Sequence, residues 1–325
     1  MNPASRPLLQ VENLGVRFDA VEVVRGASFS VAAGEMVALV GESGCGKSTT
    51  ALAVLDLLPE GGCRSRGRVE IAGLGDPATD DSQHRRRLRG RIVGLVPQDA
   101  ASALNPVLTL GQQLVETLRA VRGLGRRAAH QEAAALLERV AMPDARKRLA
   151  SYAHQLSGGQ QQRAVLALAL ASGPRLLLAD EPTAALDVTL QAQILALLDR
   201  LRRELGLAVL LITHDLSVVA STCERVLVMY AGQVVEEAPI AALFAHPAHP
   251  YTEALLRSRP ILGASALAAG IEGSVPEPGA LPAGCAFAPR CRHAQARCRE
   301  TPPWIALGNG RYSRCVRHAP LGTRA

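Results

Sequence analysis

GESGCGKS, residues 41 to 48, is the stretch that determines the expected fold. It lies between an apolar run that ends at Val40 and a run with helical spacing that begins near Lys47. Its spacing fits GxxxxGK[ST], in which backbone N–H groups surround phosphate oxygens, the lysine reaches the β- and γ-phosphates and the hydroxyl binds Mg²⁺. A helix N-terminus behind such a loop adds partial positive charge where the anion binds. The stretch therefore predicts a phosphate-binding loop between a strand and a helix.

Four further motifs follow this phosphate loop in order. They are LSGGQ at Leu156–Gln160, LLLADEP at Leu176–Pro182, ALD at Ala185–Asp187 and the pair Thr213 and His214. The set resembles the nucleotide-binding subunits of ATP-binding-cassette (ABC) proteins over about the first 240 residues. The resemblance implies an α/β fold: a P-loop ATPase core with a RecA-like sheet, an antiparallel β subdomain and a helical subdomain inserted at about residues 99–156. It also implies ATP and Mg²⁺ as cofactors.

The resemblance implies roles for residues in these motifs. The phosphate-contacting set is Gly41, Ser43, Gly44, Cys45, Gly46, Lys47, Ser48 and Thr49. The Mg²⁺ set is Ser48, Gln98 and Asp180. Gln98 would also touch the attacking water, Glu181 would polarise that water, and His214 would hydrogen-bond the γ-phosphate. Phe18 takes the place of the aromatic residue that stacks on adenine.

The LSGGQ motif implies a second subunit. In the family this signature caps the nucleotide held by a partner cassette, so that two cassettes close head to tail around two ATP molecules. The residues involved are Ser157, Gly158, Gly159 and Gln160, together with Asp187 in a loop that crosses the dimer interface. Residues 184–187 read AALD where the family usually has SALD, so one hydroxyl is missing there.

Taken singly, several of these residues have plainer interpretations. Phe18 could be a packed strand residue, Gln98 an exposed loop residue and Ser157 an ordinary helix cap. A lone histidine such as His214 is more often structural than catalytic. The order of the motifs, rather than any single residue, favours the functional interpretation. An inactive cassette is not expected, because the chain retains all of Lys47, Asp180, Glu181 and His214.

Composition narrows the classes of protein. The chain has 325 residues, 48% of them hydrophobic and only 3% aromatic, so we expect an aliphatic core and few base-stacking platforms. The formal net charge is +7, with a basic run HRRRLRGR at residues 84–91 that is typical of a solvated face. The longest unbroken apolar run, Ala164 to Ala171, is too short to span a membrane, and the first residues lack a signal-peptide core. We expect a cytosolic chain that reaches any membrane through a partner.

The segment after the cassette narrows the family. HPAHPYTEALLRSRP, His246 to Pro260, is similar to the segment that follows the cassette in oligopeptide and dipeptide importer ATPases. This similarity implies domains at 1–240 and 241–325, two permease subunits, a second cassette, an indirect link to a solute-binding protein, and a location on the cytoplasmic face of the membrane. Nickel or another small solute is an alternative cargo. A soluble ABC ATPase acting on nucleic acid or ribosomes is the rival class, although nucleic acid is not the expected partner.

Four of the seven cysteines lie near the C-terminus. They are Cys285, Cys291, Cys298 and Cys315, with five, six and sixteen residues between them. In a reducing compartment this grouping favours metal ligation over disulfides. Zinc sites usually have two to four residues between paired cysteines, so four cysteines without close pairing suit a four-thiolate iron–sulfur cluster better, although their gaps match neither common ferredoxin pattern. A [4Fe-4S] cluster, which some peptide-importer relatives carry, zinc and unmetallated thiols stay open.

Overall fold

The computed structural model describes residues 7–78, 81–184, 186–258 and 270–318. The strands are β1 (Leu9–Phe18), β2 (Val21–Val31), β3 (Met36–Val40), β4 (Gly62–Ile71), β5 (Val93–Val96), β6 (Leu176–Asp180), β7 (Ala208–Thr213), β8 (Arg225–Tyr230), β9 (Gln233–Pro239), β10 (Ile305–Gly308) and β11 (Arg311–Ser313). The helices are α1 (Lys47–Val54), α2 (Ser82–Arg87), α3 (Ala100–Ala103), α4 (Leu110–Arg122), α5 (Arg126–Arg139), α6 (Ala145–Arg148), α7 (Gly158–Ala171), α8 (Val188–Leu205), α9 (Leu216–Thr222), α10 (Ile240–Ala245) and α11 (Pro250–Arg257).

These elements group into two compact units. The first unit holds the described residues of Met1–Leu9, Val31–Met36 and Glu70–Ile212. The second holds those of Gln10–Ser30, Val37–Val69 and Thr213–Ala325. Both sides of the domain boundary expected near residue 240 lie in the second unit, so that boundary stays a prediction.

The first unit is built around the parallel strands β5, β6 and β7. β6 lies between the other two, with Leu176 opposite Val93 on one side and Ala208 on the other. Every residue of β6 and β7 is buried. Parallel strands covered on both faces need continuous apolar runs rather than alternation, which is the pattern seen in LLLAD and AVLLIT. The carboxyl end of β6 therefore presents Asp180 at the edge of a buried sheet.

The chain between β5 and β6 is helical. α4 begins with a reciprocal cap, in which Gln112 N–H donates to Thr109 Oγ1 at 3.2 Å and Thr109 N–H donates to Gln112 Oε1 at 2.8 Å. It ends at Gly123, whose φ of 68° suits glycine. Residues 99–156 contain helices and no named strand, as apolar residues at helical spacing predict. Among the residues that the structure describes, no helix is long and apolar enough to cross a membrane.

The second unit contains strands from both ends of the chain. One sheet has the order β2-β1-β4; in the other, β10, β11, β9, β8 and β3 are successive neighbours. β3 runs parallel to β8, whereas β9 is antiparallel to both β8 and β11. β8 and β9 form a hairpin, and β11 continues the sheet with Ser313 opposite Glu236. The C-terminal extension, by which we mean the described residues after 240, is therefore part of this sheet.

An aromatic cluster packs beside this sheet in the second unit. Tyr230 and Tyr251 are fully buried and their ring centroids lie 4.5 Å apart. Phe287 of the extension packs edge-on to Tyr230 at 5.2 Å and tilted to Tyr251 at 5.4 Å. Most buried hydrophobic residues among those described are aliphatic, as the composition predicts, and these three rings are a local exception. Such ring pairs add to the free energy gained by burial.

We predict that Phe287→Ala lowers the free energy of unfolding by about 3 to 5 kcal/mol, since it removes a ring that is only 2% exposed. Urea denaturation followed by circular dichroism measures this change. Val107→Ala, at a side chain that is 76% exposed, is the control and should change the free energy by less than about 0.5 kcal/mol. Equal midpoints for Phe287→Ala and the unaltered chain would contradict the packing assigned to this ring.

Candidate functional site

The phosphate loop lies in the second unit between β3 and α1. β3 is buried throughout, and α1 starts at Lys47 behind Gly46, whose φ is 101°. Gly44 also has positive φ, at 79°. A Cβ on Gly41 would lie 2.2 Å from the carbonyl oxygen of Met229, so no side chain fits there. The glycines of the motif are therefore required by backbone conformation and by close approach to β8.

Lys47 is folded back over this loop. Its side chain is buried, and Nζ donates to the carbonyl oxygens of Gly41 at 2.9 Å and Glu42 at 3.0 Å. An ammonium group held among carbonyls can exchange them for phosphate oxygens without a large movement. Thr50 anchors the first turn of α1 by donating from Oγ1 to the carbonyl oxygen of Gly46 at 2.8 Å. Sequence reasoning did not single out Thr50.

Cys45 has its side chain turned into the protein. It is 1% exposed, and burial raises the pKa of its thiol, so the group is neutral near pH 7. Its backbone N–H donates to the carbonyl oxygen of Glu42 at 3.3 Å. Cys45 thus shapes the loop through its backbone and its packing rather than through a reactive sulfur.

Two side chains from the C-terminal part of the chain contact Glu42, the second residue of the loop. The hydroxyl of Tyr251 accepts a hydrogen bond from Glu42 N–H at 2.8 Å. The guanidinium of Arg290 binds the carboxylate of Glu42, with Nη1 at 2.7 Å from Oε2 and Nη2 at 3.0 Å from Oε1. Both contacts were missed from the sequence. No local pattern signals them, because they join residues 209 and 248 positions apart.

Asp180 and Glu181 lie in the first unit where β6 ends. Asp180 is 7% exposed, and Glu181 adopts a φ of +44° while its N–H donates to the carbonyl oxygen of Ile212 at 2.9 Å. Left-handed backbone at a glutamate costs about 1 to 3 kcal/mol and is concentrated at functional positions. Gln98, two residues beyond β5, donates from Nε2 to Glu181 Oε2 at 3.3 Å. The structure therefore brings together the two side chains expected to handle the attacking water.

The LSGGQ motif opens α7 in the first unit. Ser157 and Gly158 are exposed, and Ser157 N–H donates to Gln160 Oε1 at 3.1 Å. Gly159 is buried, and a Cβ there would lie 3.3 Å from Leu190 Cδ1. The arrangement is a helix cap, as the plainer interpretation expects, and it also leaves an exposed helix N-terminus of the kind that binds anions.

The other predicted residues occupy the ends of elements. Asp187 caps α8 by accepting from Leu190 N–H at 2.9 Å, while Ala185 lies outside the described residues. His214 directly follows β7 and is exposed. Phe18 ends β1 in the second unit, with its ring against Gly62, where a Cβ would lie 2.6 Å from the ring.

The four C-terminal cysteines line one cavity together with His249 and His293. None of the chain's cysteines forms a disulfide. Burial, reinforced by the neighbouring thiols, raises the pKa of Cys285 to about 11, and burial also raises the pKa of Cys291 and Cys315. Among the residues described, no group of three or more His, Cys, Asp or Glu side chains is placed to hold a metal ion. The site is thus a set of four thiols around a common space.

Comparison with known proteins covers both parts of the chain. A sequence model described as ABC transporter matches residues 24–184, and one described as the C-terminal region of oligopeptide/dipeptide transporters matches residues 235–298. A protein of Brucella abortus (strain 2308), provisionally named a peptide import ATP-binding protein, is 47% identical over 97% of this chain and 96% of its own length. A Brucella ovis protein with the same kind of name is 44% identical over 96% of this chain and 97% of its own length.

Solved structures give the same family. The dimeric ATP-binding cassette MJ0796 in a post-hydrolysis state with ADP and phosphate is 28% identical, with a TM-score of 0.64 over 71% of this chain and 98% of that one. CbiO1 of Clostridium perfringens, part of an ABC transporter complex, is 27% identical, with a TM-score of 0.65 over 74% of this chain and 92% of that one. With identity and coverage at these levels, the chain belongs to the family of ABC transporter ATP-binding proteins, which hydrolyse ATP.

Proposed function

We propose that this chain is the ATP-hydrolysing subunit of an importer that takes up oligopeptides or dipeptides through partner permeases. The observation that carries the choice of cargo is the match of residues 235–298 to the C-terminal region of oligopeptide/dipeptide transporters, in the same chain as an ABC cassette. Relatives named for peptide import align along 97% of the chain, so the likeness is not confined to the cassette. The solute would be selected by the permeases and by an extracytoplasmic binding protein.

The chemistry assigned to the nucleotide site needs little covalent help from the protein. Positioning and electrostatic stabilisation carry most of the barrier reduction in phosphoryl transfer. Lys47 would take the β- and γ-phosphates, and His214 would contact the γ-phosphate. Ser48, Gln98 and Asp180 would hold Mg²⁺, and they offer the oxygen donors that this ion prefers. Mg²⁺ would supply charge neutralisation for the phosphates when bound.

We assign to Glu181 the role of polarising the attacking water. Its contact with Gln98 and its left-handed backbone support a positioned carboxylate rather than a freely moving one. A carboxylate held in this way can accept a hydrogen bond from the water and orient it for in-line attack. We assign to Phe18 the role of stacking on the adenine ring.

A second cassette, a copy or a paralogue, would complete each ATP site. The exposed N-terminus of α7, with Ser157 and Gly158, would face the nucleotide held by the partner, and Asp187 would lie at the interface. ATP binding would close the pair and hydrolysis would reopen it, which drives two permeases between inward- and outward-facing states. The chain would then act at the cytoplasmic face of the membrane through these permeases.

We predict that Glu181→Gln lowers ATP turnover at least about a hundredfold while ATP binding persists, because the amide cannot act as the base that orients water. Steady-state phosphate release and a nucleotide-binding titration measure the two quantities separately. Glu116→Gln, at an exposed position on α4, is the matched control and should turn over normally. Normal hydrolysis by Glu181→Gln would remove this residue from its assigned role.

The partners can be identified by affinity capture of this chain from detergent-solubilised membranes of its host. We expect two multi-spanning permeases and a second cassette, because an importer of the proposed kind works through these partners. Uptake of labelled dipeptides and oligopeptides by the captured complex, compared with uptake of nickel, then identifies the cargo. Recovery only with nucleic acid or ribosomal proteins would favour a soluble ATPase instead.

The four C-terminal cysteines are proposed to hold an iron–sulfur cluster, with zinc or bare thiols as the alternatives. The donor set fits, since four thiols line one cavity and a [4Fe-4S] cluster takes four thiolates. Among the described residues no group of three or more His, Cys, Asp or Glu side chains is placed to hold a metal ion as it stands, so the four thiols would have to draw together around the cluster. The bound iron would have to offset the raised thiol pKa values, because only thiolates are ligands.

Protein purified without oxygen should be brown and contain about four iron atoms per chain, the content of one such cluster. Iron analysis and visible absorption measure this. Cys298→Ser should abolish the colour, whereas Cys63→Ser, at an exposed cysteine outside the cavity, should keep it. A colourless preparation free of iron contradicts the cluster, and stoichiometric zinc would replace it with the zinc alternative.

A further inference from the structure

The side chain of Arg290, in the C-terminal extension, is only 5% exposed. Besides its two bonds to the Glu42 carboxylate, its Nη1 contacts the hydroxyl of Tyr230 at 3.3 Å. Its Nε donates to the carbonyl oxygen of Glu272 at 2.9 Å and Nη2 to that of Ile271 at 3.2 Å. The planar guanidinium is thus fixed by neutral oxygens on one side and pairs in bidentate fashion with a carboxylate on the other.

Glu42 is held at three points, each by a different group. Arg290 binds its carboxylate, Tyr251 accepts from its N–H, and its carbonyl oxygen accepts from Lys47 Nζ. The last contact connects Glu42 to the ammonium group that the loop offers to phosphate. A shift of the Glu42 backbone would therefore move the oxygen against which Lys47 is placed.

The charge of Glu42 matters as much as its position. A carboxylate on the second residue of a phosphate loop repels the anion that the loop binds, and this repulsion is strong where water is partly excluded. Arg290 neutralises the carboxylate at hydrogen-bond distance. An uncompensated Glu42 would oppose ATP binding even if the backbone of the loop did not move.

We propose that Arg290 is a positioning residue for the phosphate loop: acting through Glu42, it cancels the negative charge that the loop would otherwise present to ATP, which makes the C-terminal extension part of the ATP site. The proposal rests on the proposed role of this loop in binding ATP. It assigns to the extension a task within nucleotide binding that is separate from any metal held by its cysteines. Arg290 itself need not touch the nucleotide.

The test compares the affinity of the full-length chain for a fluorescent ATP analogue, together with KM and kcat for ATP, in four variants. Arg290→Met keeps the apolar stem and leaves Glu42 charged, so the dissociation constant and KM should rise at least about tenfold, with a smaller change in kcat. Arg290→Lys keeps the positive charge but cannot form the bidentate pair, so its affinity for ATP should lie between those of Arg290→Met and the unaltered chain. Glu42→Gln alone should bind ATP at least as tightly as the unaltered chain, because the positive charge of Arg290 is then no longer cancelled by a carboxylate.

The double variant separates electrostatic positioning from ordinary packing. Glu42→Gln in the Arg290→Met background should restore affinity to within about threefold of the unaltered chain, since no charge is left unpaired. A role in packing alone would make the double variant bind as weakly as Arg290→Met or more weakly, and that result would overturn the proposal. Wild-type affinity in Arg290→Met would overturn it as well.

Two controls distinguish the role of Arg290 from the role of the loop in binding ATP. Arg292, an exposed arginine that pairs with Glu253, is the matched control, and Arg292→Ala should leave ATP affinity unchanged. Lys47→Ala tests the loop itself: unchanged ATP binding in that variant would reject the loop as the nucleotide site. Loss of binding in Lys47→Ala with wild-type affinity in Arg290→Met would reject only the role of Arg290. If circular dichroism shows that Arg290→Met does not fold, Arg290→Lys and Glu42→Gln are compared instead. The proposal then requires weaker ATP binding by Arg290→Lys than by Glu42→Gln, and the opposite order would overturn it.

Discussion

The close approach of the phosphate loop to β8 is the constraint on which the second unit depends. Gly41 has no room for a side chain against Met229, and Gly46 would place a Cβ 3.2 Å from the carbonyl oxygen of Val23. Gly232 N–H, just past β8, donates to the carbonyl oxygen of Cys45 at 2.9 Å and closes the loop from the same side. These contacts lie where β3 pairs in parallel with β8 and where α1 begins. The loop backbone therefore packs directly against β8 and the turn that follows it.

The extension reaches this loop because its first residues are held firmly. Glu236 in β9 is fully buried, and its carboxylate accepts from the N–H groups of Ala248 at 2.8 Å and His249 at 2.7 Å. His249 in turn caps α11 by accepting from Tyr251 N–H at 3.1 Å. Burial raises the pKa of Glu236, although its hydrogen bonds and the charge of Arg311 oppose the shift. This polar anchor fixes where α11 begins and hence where the hydroxyl of Tyr251 lies.

Sequence reasoning was sufficient where the chemistry is local. The strand, loop and helix around Lys47, the buried run that ends at Asp180 and the α/β class all follow from short patterns. It did not reveal the left-handed backbone of Glu181, because glutamate carries no signal for positive φ. It also missed the pairing of β11 with β9, since a strand of three residues has too little alternation to detect. Arg290 resembled one more basic residue of a charged tail, and only tertiary structure shows which carboxylate it meets.

The contact between Glu42 and Arg290 also bears on how the protein is made. The two residues are 248 positions apart, so the loop leaves the ribosome long before its partner does. Synthesis proceeds from the N-terminus at about 5 to 20 residues per second, which separates their emergence by tens of seconds at the slower rate. During that interval the nascent chain has a phosphate loop with an unpaired carboxylate. The loop therefore takes up its final environment only after Arg290 has been synthesised, as expected for a fold with contacts of long sequence separation.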